Sequence, residues 1–291
     1  MENGVDVATA SVVQRLSNVN DLTFSRIDWN VFSPMLKSQL IEILRSSSLT
    51  QFRSRSMPAT PIITALAAVL ACARHLKIMD VSSECTDWNS PTEITGTAPR
   101  SIHLEELKLS RSPSFINSLL QDSCPFEVRN LRLLDIRGYF SYSEIAGLMQ
   151  YIGGNLKNLK MDLGDYEAEE LNGHLEHTPN LRILHLTNLN LSLKRGPVPK
   201  IQALFRPLLS EGRNRFPLQH IIIDLNPGDS KVEAHCWSAI DALFEKPEFA
   251  LLETVEFRLF SWPSVPRDTR RMLEGQLPFL QRSGRLRIPE C

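Results

Sequence analysis

One spacing recurs along the chain and restricts what it can build. The segments Leu49-Thr-Gln-Phe52-Arg-Ser54, Leu76-Lys-Ile-Met79-Asp-Val81, Leu104-Glu-Glu-Leu107-Lys-Leu109 and Leu131-Arg-Leu-Leu134-Asp-Ile136 share the pattern LxxLxL. It continues in Leu156-Lys-Asn-Leu159-Lys-Met161, Leu181-Arg-Ile-Leu184-His-Leu186, Leu218-Gln-His-Ile221-Ile-Ile223 and Leu252-Glu-Thr-Val255-Glu-Phe257, with Val19, Leu22 and Phe24 as a first copy. From Leu49 to Leu181 the steps are 27, 28, 27, 25 and 25 residues, and the last two are 37 and 34. A near-constant period implies one small unit per copy, none able to bury its own apolar face, so that neighbours stack on one another.

The pattern is the strand half of a leucine-rich repeat. Between the copies, helical spacing fills 34–45, 61–73, 143–152, 168–177, 201–209, 234–244 and 268–280. In the first of these Leu36, Leu40, Ile43 and Leu44 share a face, and Pro34 and Pro61 fall where an opening helical turn accepts proline. The expected fold is α/β: an irregular leucine-rich-repeat solenoid, a horseshoe with a parallel sheet on the concave side and helices on the convex side. Residues 1–18 are expected to be a flexible or capping N-terminal segment and 19–291 a single repeat domain. The first, fourth and sixth residues of each copy fill the interior, each contributing about 1.5–3 kcal/mol on leaving water. Three residues past the sixth, where a regular array carries Asn or Cys, stand Ser112, Tyr139 and Leu189, so uneven curvature is expected. The extra length of the last copies falls in 194–200 and 226–233, which contain Pro and Gly, and 82–101 reads as an exposed loop.

Charge supplies little guidance. Lys and Arg total 32 against 33 for Asp and Glu, a net charge of -1, so there is no global field to draw in nucleic acid or an anionic membrane. Five scattered cysteines without a CxxC argue against a disulfide framework and a zinc site. The first residues lack the apolar core of a signal peptide, and the apolar run 62–73 is too short to span a bilayer. A cytoplasmic or nuclear location follows as the expectation, and the sequon at Asn190 is read as chance.

Strand side chains alternate, so the fifth and seventh residues face away from the interior. The fifth are Arg53, Asp80, Lys108, Asp135, Lys160, His185, Ile222 and Glu256; the seventh are Arg55, Ser82, Ser110, Arg137, Asp162, Thr187, Asp224 and Arg258. Two readings of this polar stripe stand side by side. It contacts a protein partner, or its alternating charges neutralise one another between strands about 4.8 Å apart. A second candidate is aromatic: Trp29, Trp88, Tyr139, Phe140, Tyr142, Tyr166 and Trp262 follow strands and would gather on one rim. Such rings are frequent interface anchors, yet they equally serve to plug the edge of a core. Their exposure discriminates between the two.

No catalytic or metal motif emerges. The pair His174 and His177 lies one helical turn apart without an identifiable third donor. The acidic stretch Asp162, Asp165, Glu167, Glu169 and Glu170 lacks calcium-loop spacing and is expected to face the N-terminus of a following helix. GxSxG, GxxxxGK[ST], GxGxxG and HExxH are all absent. Neither an enzyme nor a cofactor is expected.

These repeats, together with Ser123-Cys124-Pro125 and Thr178-Pro179-Asn180-Leu181 before strands and the ending Leu277-Pro278-Phe279-Leu280-Gln281-Arg282-Ser283-Gly284-Arg285-Leu286-Arg287, resemble the repeat region of fungal F-box/leucine-rich-repeat proteins, particularly those of mushroom-forming fungi. The resemblance implies a protein-interaction module of the kind that holds substrates for a ubiquitin ligase. An F-box docks on a Skp-type adaptor; residues 1–18 are too few for that motif and show no leucine-proline opening, so the adaptor is expected as a partner only where an F-box lies upstream. The alternative is a stand-alone structural scaffold with no ubiquitin role.

Overall fold

The computed structural model describes residues 9, 11, 18–25, 31–46, 48–57, 70, 72–83, 100–122, 124–138, 140–164, 174–191, 196–209, 216–226, 237–260 and 267–289. The chain divides into two compact units, one comprising Met1–Leu131 and Tyr139–Tyr151, the other Arg132–Gly138 and Ile152–Cys291.

Along the chain the first unit holds β1 (Asp21–Ser25), α1 (Pro34–Ser46), β2 (Gln51–Met57), β3 (Ile78–Ser83), β4 (Ile102–His103), β5 (Glu106–Ser110), α2 (Pro113–Leu120) and β6 (Phe126–Glu127). All but the last residue of α3 (Tyr142–Ile152) also belongs to it. Strands β1, β2, β3 and β5 pair in that order, all parallel, while β4 and β6 form a separate parallel pair. In register, Leu22 meets Phe52, Phe52 meets Met79 and Met79 meets Leu107; Phe24, Ser54, Val81 and Leu109 align likewise. These are the fourth and sixth positions of the LxxLxL alignment, without slippage.

The second unit holds β7 (Leu133–Arg137), β8 (Asn158–Asp162), β9 (Ile183–Asn190), α4 (Val198–Phe205), β10 (His220–Asn226), α5 (Ser238–Phe244), β11 (Thr254–Leu259), α6 (Arg267–Gln276), α7 (Pro278–Arg282) and β12 (Leu286–Arg287). Its six strands pair in chain order. The determined neighbours are parallel, and Leu134, Leu159, Leu184, Ile221 and Val255 share one rung while Ile136, Met161, Leu186, Ile223 and Phe257 share the next. Each unit is thus α/β with parallel strands. From Leu49 onward every first, fourth and sixth residue is at most 4% exposed. One of them, Ser54, is polar, and it sits where the other copies carry an apolar side chain. Rings add to the second interior: Phe205, Phe244 and Phe249 lie mutually edge-to-face with centroids 5.3–5.6 Å apart.

A backbone device repeats with the period. In seven copies the carbonyl of the second residue accepts two N–H groups from the next copy. In the first unit Asn20 accepts from Thr50 and Gln51, Thr50 from Lys77 and Ile78, and Lys77 from Glu105 and Glu106. In the second, Arg132 accepts from Lys157 and Asn158, Lys157 from Arg182 and Ile183, Arg182 from Gln219 and His220, and Gln219 from Glu253 and Thr254, at 2.8–3.1 Å. The second residues are therefore stacked rung on rung by main-chain bonds.

Several expected elements differ. The helix expected over 268–280 is two helices, because Leu277 leaves the helical conformation and Pro278, which cannot donate an N–H, opens α7 instead. Asp241 accepts from the N–H groups of Phe279 (2.7 Å) and Leu280 (3.0 Å) and so caps α7. Within 168–177 the described part, His174–His177, is a 3-10 turn, and the expected helix over 61–73 lies almost entirely outside the described residues. Helix α2 has no counterpart among the expected helices. Leu189 stays in β9 and is buried rather than turning the chain; Asn188 before it has φ 60° and the register to β10 shifts there, a bulge that re-aims the strand.

Candidate functional site

The two faces of each sheet differ. Along β5, β8, β9, β10 and β11 buried and half-exposed residues alternate, so the fifth and seventh residues lie on a face that stays half-exposed. Arg53, Asp80, Lys108, Lys160, Asp162, His185, Asp224, Glu256 and Arg258 are half-exposed there and Arg137 is exposed, whereas Asp135 is buried at 4%.

The charges are paired, but not as the alternation of sign between neighbouring strands suggested. Asp135 and Arg137, the fifth and seventh residues of one strand, form a forked pair in which Nε of Arg137 donates to both carboxylate oxygens at 2.9 and 3.1 Å. Glu256 and Arg258 repeat it on β11 at 2.6 Å. Residues two apart on a strand share a face, and a long guanidinium folds back more readily than a short Asp reaches across. In the first unit Lys108 approaches Glu106 of its own strand at 4.0 Å, and Arg53 approaches Asp21 of β1 at 3.5 Å. Asp80 and Lys160 form no ion pair with a described residue.

Of the acidic stretch that begins at Asp162, Asp165, Glu167, Glu169 and Glu170 lie outside the described residues. The Asp162 carboxylate accepts from the backbone N–H groups of Gly138 (3.2 Å) and Gly164 (3.0 Å), fixing the exits of two neighbouring strands. His185 and Asp224 do meet between strands: Nε2 lies 2.8 Å from Oδ2, with the side chains 13% and 16% exposed. The approach is off the hydrogen-bonding direction, and Nε2 and the second oxygen of Asp224 have no hydrogen-bond partner among the described residues.

Of the aromatic candidates, Trp29, Trp88, Tyr139, Tyr166 and Trp262 lie outside the described residues, as does the side chain of Tyr142. Phe140 is buried at 4% and belongs to the core. Nε2 of His177 lies 3.4 Å from Glu176, and no group of three metal-ligating side chains gathers among the described residues. No described helix is long and apolar enough to cross a membrane.

The residues that the repeat alignment did not single out are the second ones of each copy. Here Nζ of Lys77 lies 2.8 Å from Oε1 of Glu105, an ion pair between neighbouring rungs of the first unit. In the second unit the corresponding row begins Arg132, Lys157, Arg182, all exposed. The available signal was the phrase Asn-Leu-basic in three successive copies, Asn130-Leu131-Arg132, Asn155-Leu156-Lys157 and Asn180-Leu181-Arg182. A further cluster in the first unit sets the guanidinium groups of Arg100 and Arg129 4.8 and 4.9 Å from the ring centre of Tyr151. Nearby Cys124 is buried, and burial pushes its thiol pKa up.

No family model matches the chain, and no curated protein matches it at a significant level. The likeness to F-box/leucine-rich-repeat proteins accordingly rests on the repeat phrases themselves.

Proposed function

We propose that the chain is an irregular leucine-rich-repeat solenoid acting as a protein-interaction module, of the kind that presents substrates to a ubiquitin ligase in F-box proteins. One observation carries this reading. From Leu49 onward the fourth and sixth side chains of both units are sealed in the interior, while the fifth and seventh, the buried Asp135 apart, stand on a face left at least half-exposed. Such a face offers closely spaced, rigidly held polar groups, and rigid presentation lowers the ordering cost of binding a partner.

The test is affinity capture with mass spectrometry, comparing the parent protein with Asp80→Arg/Lys160→Glu, which reverses two stripe charges that form no ion pair with a described residue. A partner set retained by the parent and lost by the variant is the expected result. Identical capture by both would remove the stripe as the binding face. Co-purification of a Skp-type adaptor with the natural full-length product tests the ligase connection separately.

A further inference from the structure

One row of the second unit runs unbroken across five strands: Lys160 on β8, His185 on β9, Ile222 on β10, Glu256 on β11 and Arg287 on β12 are successive register partners. They share the outward face. Its centre breaks the pattern of the stripe, because every other fifth residue of the aligned copies is charged or polar, whereas Ile222 is a half-exposed isoleucine. The half-exposed Ile183, opposite His220 and two residues before His185, stands diagonal to it on the same face. The carboxylates near this centre are already engaged. Asp224 lies 2.8 Å from Nε2 of His185, Glu256 accepts from Nε of Arg258 at 2.6 Å, and Asp162 accepts two backbone N–H groups. The cations at the two ends of the row are not engaged in this way. Lys160 is half-exposed and Arg287 exposed, and neither forms an ion pair with a described residue. With strands about 4.8 Å apart, each cation stands about 9.6 Å from Ile222, one on either side.

We propose that this row holds an extended segment of a protein partner, one that carries an apolar side chain with a carboxylate about three residues to either side of it. This rests on reading the chain as an interaction module and names the chemistry of the partner. The spacing follows from the sheet. A segment crossing the strands in the polyproline II conformation advances about 3.1 Å per residue with three residues per turn, so side chains three apart share a side and lie about 9.3 Å from one another. Alternate strands repeat at nearly the same distance. The apolar side chain covers Ile222 and Ile183 and removes their remaining surface from water, while the two carboxylates meet Lys160 and Arg287. Glu256 lies between Ile222 and Arg287, and its charge is offset by Arg258. A protein segment is favoured over nucleic acid, because two cations neutralise few phosphates and the net charge of the chain is -1.

The test measures fluorescence anisotropy of labelled probes on the full chain. The first probe is the peptide Glu-Pro-Ser-Leu-Pro-Ser-Glu; the others replace its leucine by serine, replace both glutamates by glutamine, or are a single-stranded oligonucleotide of the same charge. The first peptide should bind tightest. Ile222→Ser should weaken it about tenfold and abolish the preference for leucine over serine. Lys160→Gln/Arg287→Gln should weaken it about tenfold and abolish the preference for glutamate over glutamine. Both variants should melt within a couple of degrees of the parent, since the substituted side chains are exposed or half-exposed. A readout on the parent chain needs no substitution: the methyl resonances of Ile222 should shift saturably with the first peptide, and those of the half-exposed Ile78 in the first unit should not. Equal binding of the leucine and serine peptides, or equal shifts at Ile222 and Ile78, overturns the proposal while leaving the interaction reading intact. Tighter binding of the oligonucleotide overturns it in favour of nucleic acid. Absence of binding by the first peptide overturns it outright, with the capture experiment still deciding the module.

Discussion

The two units solve the same backbone problem with opposite electrostatic bookkeeping. Both stack their second residues through a shared carbonyl, and both hide the fourth and sixth residues from Leu49 onward. The first unit then couples the row of second residues with Lys77 and Glu105 and leaves its stripe loosely paired, Arg53 standing 3.5 Å from Asp21 and Lys108 4.0 Å from Glu106. The second unit pairs its stripe tightly, through Arg137 with Asp135 and Arg258 with Glu256, and carries Arg132, Lys157 and Arg182 on consecutive positions of the row of second residues. Fold and charge are therefore set by different residues of the same six-residue pattern.

The largest expected effects ask whether the units depend on one another. Leu107→Asp in the first unit and Leu184→Asp in the second each put a charge at a site with 0% exposure. A buried unpaired carboxylate costs more than the about 5–15 kcal/mol margin of a typical domain allows, so each variant should lose cooperative folding of its own unit. Urea unfolding followed by circular dichroism reads this. If Leu184→Asp leaves a residual transition matching the first unit, the units fold separately; a variant that melts within a couple of degrees of the parent means that the register is wrong.

Next comes the tight pair. Arg137→Ala strips the buried Asp135 carboxylate of its forked donor and should cost about 1–3 kcal/mol, whereas Asp21→Ala, which frees a half-exposed Arg53, should cost less than about 1 kcal/mol. Equal losses at the two sites would erase the contrast between the stripes.

Cys124 offers a pH-dependent comparison. Burial raises its pKa in the folded first unit above the ordinary value, so the folded chain holds the proton where the unfolded chain sheds it. Stability from this thiol is full below the ordinary range of about 8.5 and declines as the pH climbs through and beyond it. Unfolding midpoints across that range should fall less steeply in Cys124→Ala than in the parent. An unchanged slope removes the thiol as a contributor.

The smallest effect belongs to Glu105→Gln. It breaks an exposed pair worth about 0–1 kcal/mol, and its loss should vanish in high salt. A cost persisting in molar salt would mean that Glu105 does something other than pair with Lys77.

Much of the architecture was readable from leucine spacing, because burial repeats with the period: the register of the determined strand pairs and the buried positions follow from it directly. Helix α1 was legible for the same reason, its Leu36, Leu40, Ile43 and Leu44 forming one buried stripe. Helix α2 was not. Its eight residues begin Pro-Ser and follow Ser112, whose hydroxyl donates to the Ser110 carbonyl at 3.0 Å, and such residues read as turn until Phe115, Ile116 and Leu119 are seen buried on one side. The bulge at Asn188 was hidden too, since a left-handed asparagine leaves no mark on hydrophobic periodicity. For the candidate site, alternation correctly put the charged residues on the outward face but could not choose between a partner on the next strand and one two residues along. That choice depends on side-chain length and torsion, as the folding back of Arg137 onto Asp135 illustrates. The row of second residues escaped notice because its signal is electrostatic rather than hydrophobic.

The twice-used carbonyl has an evolutionary corollary. Any amino acid supplies that oxygen, so mutation at these positions can rewrite the chemistry displayed along an entire edge while every rung remains hydrogen-bonded as before. The edge behaves as an interchangeable panel mounted on a fixed frame, and new partners can be tried at that margin without the scaffold being put at risk.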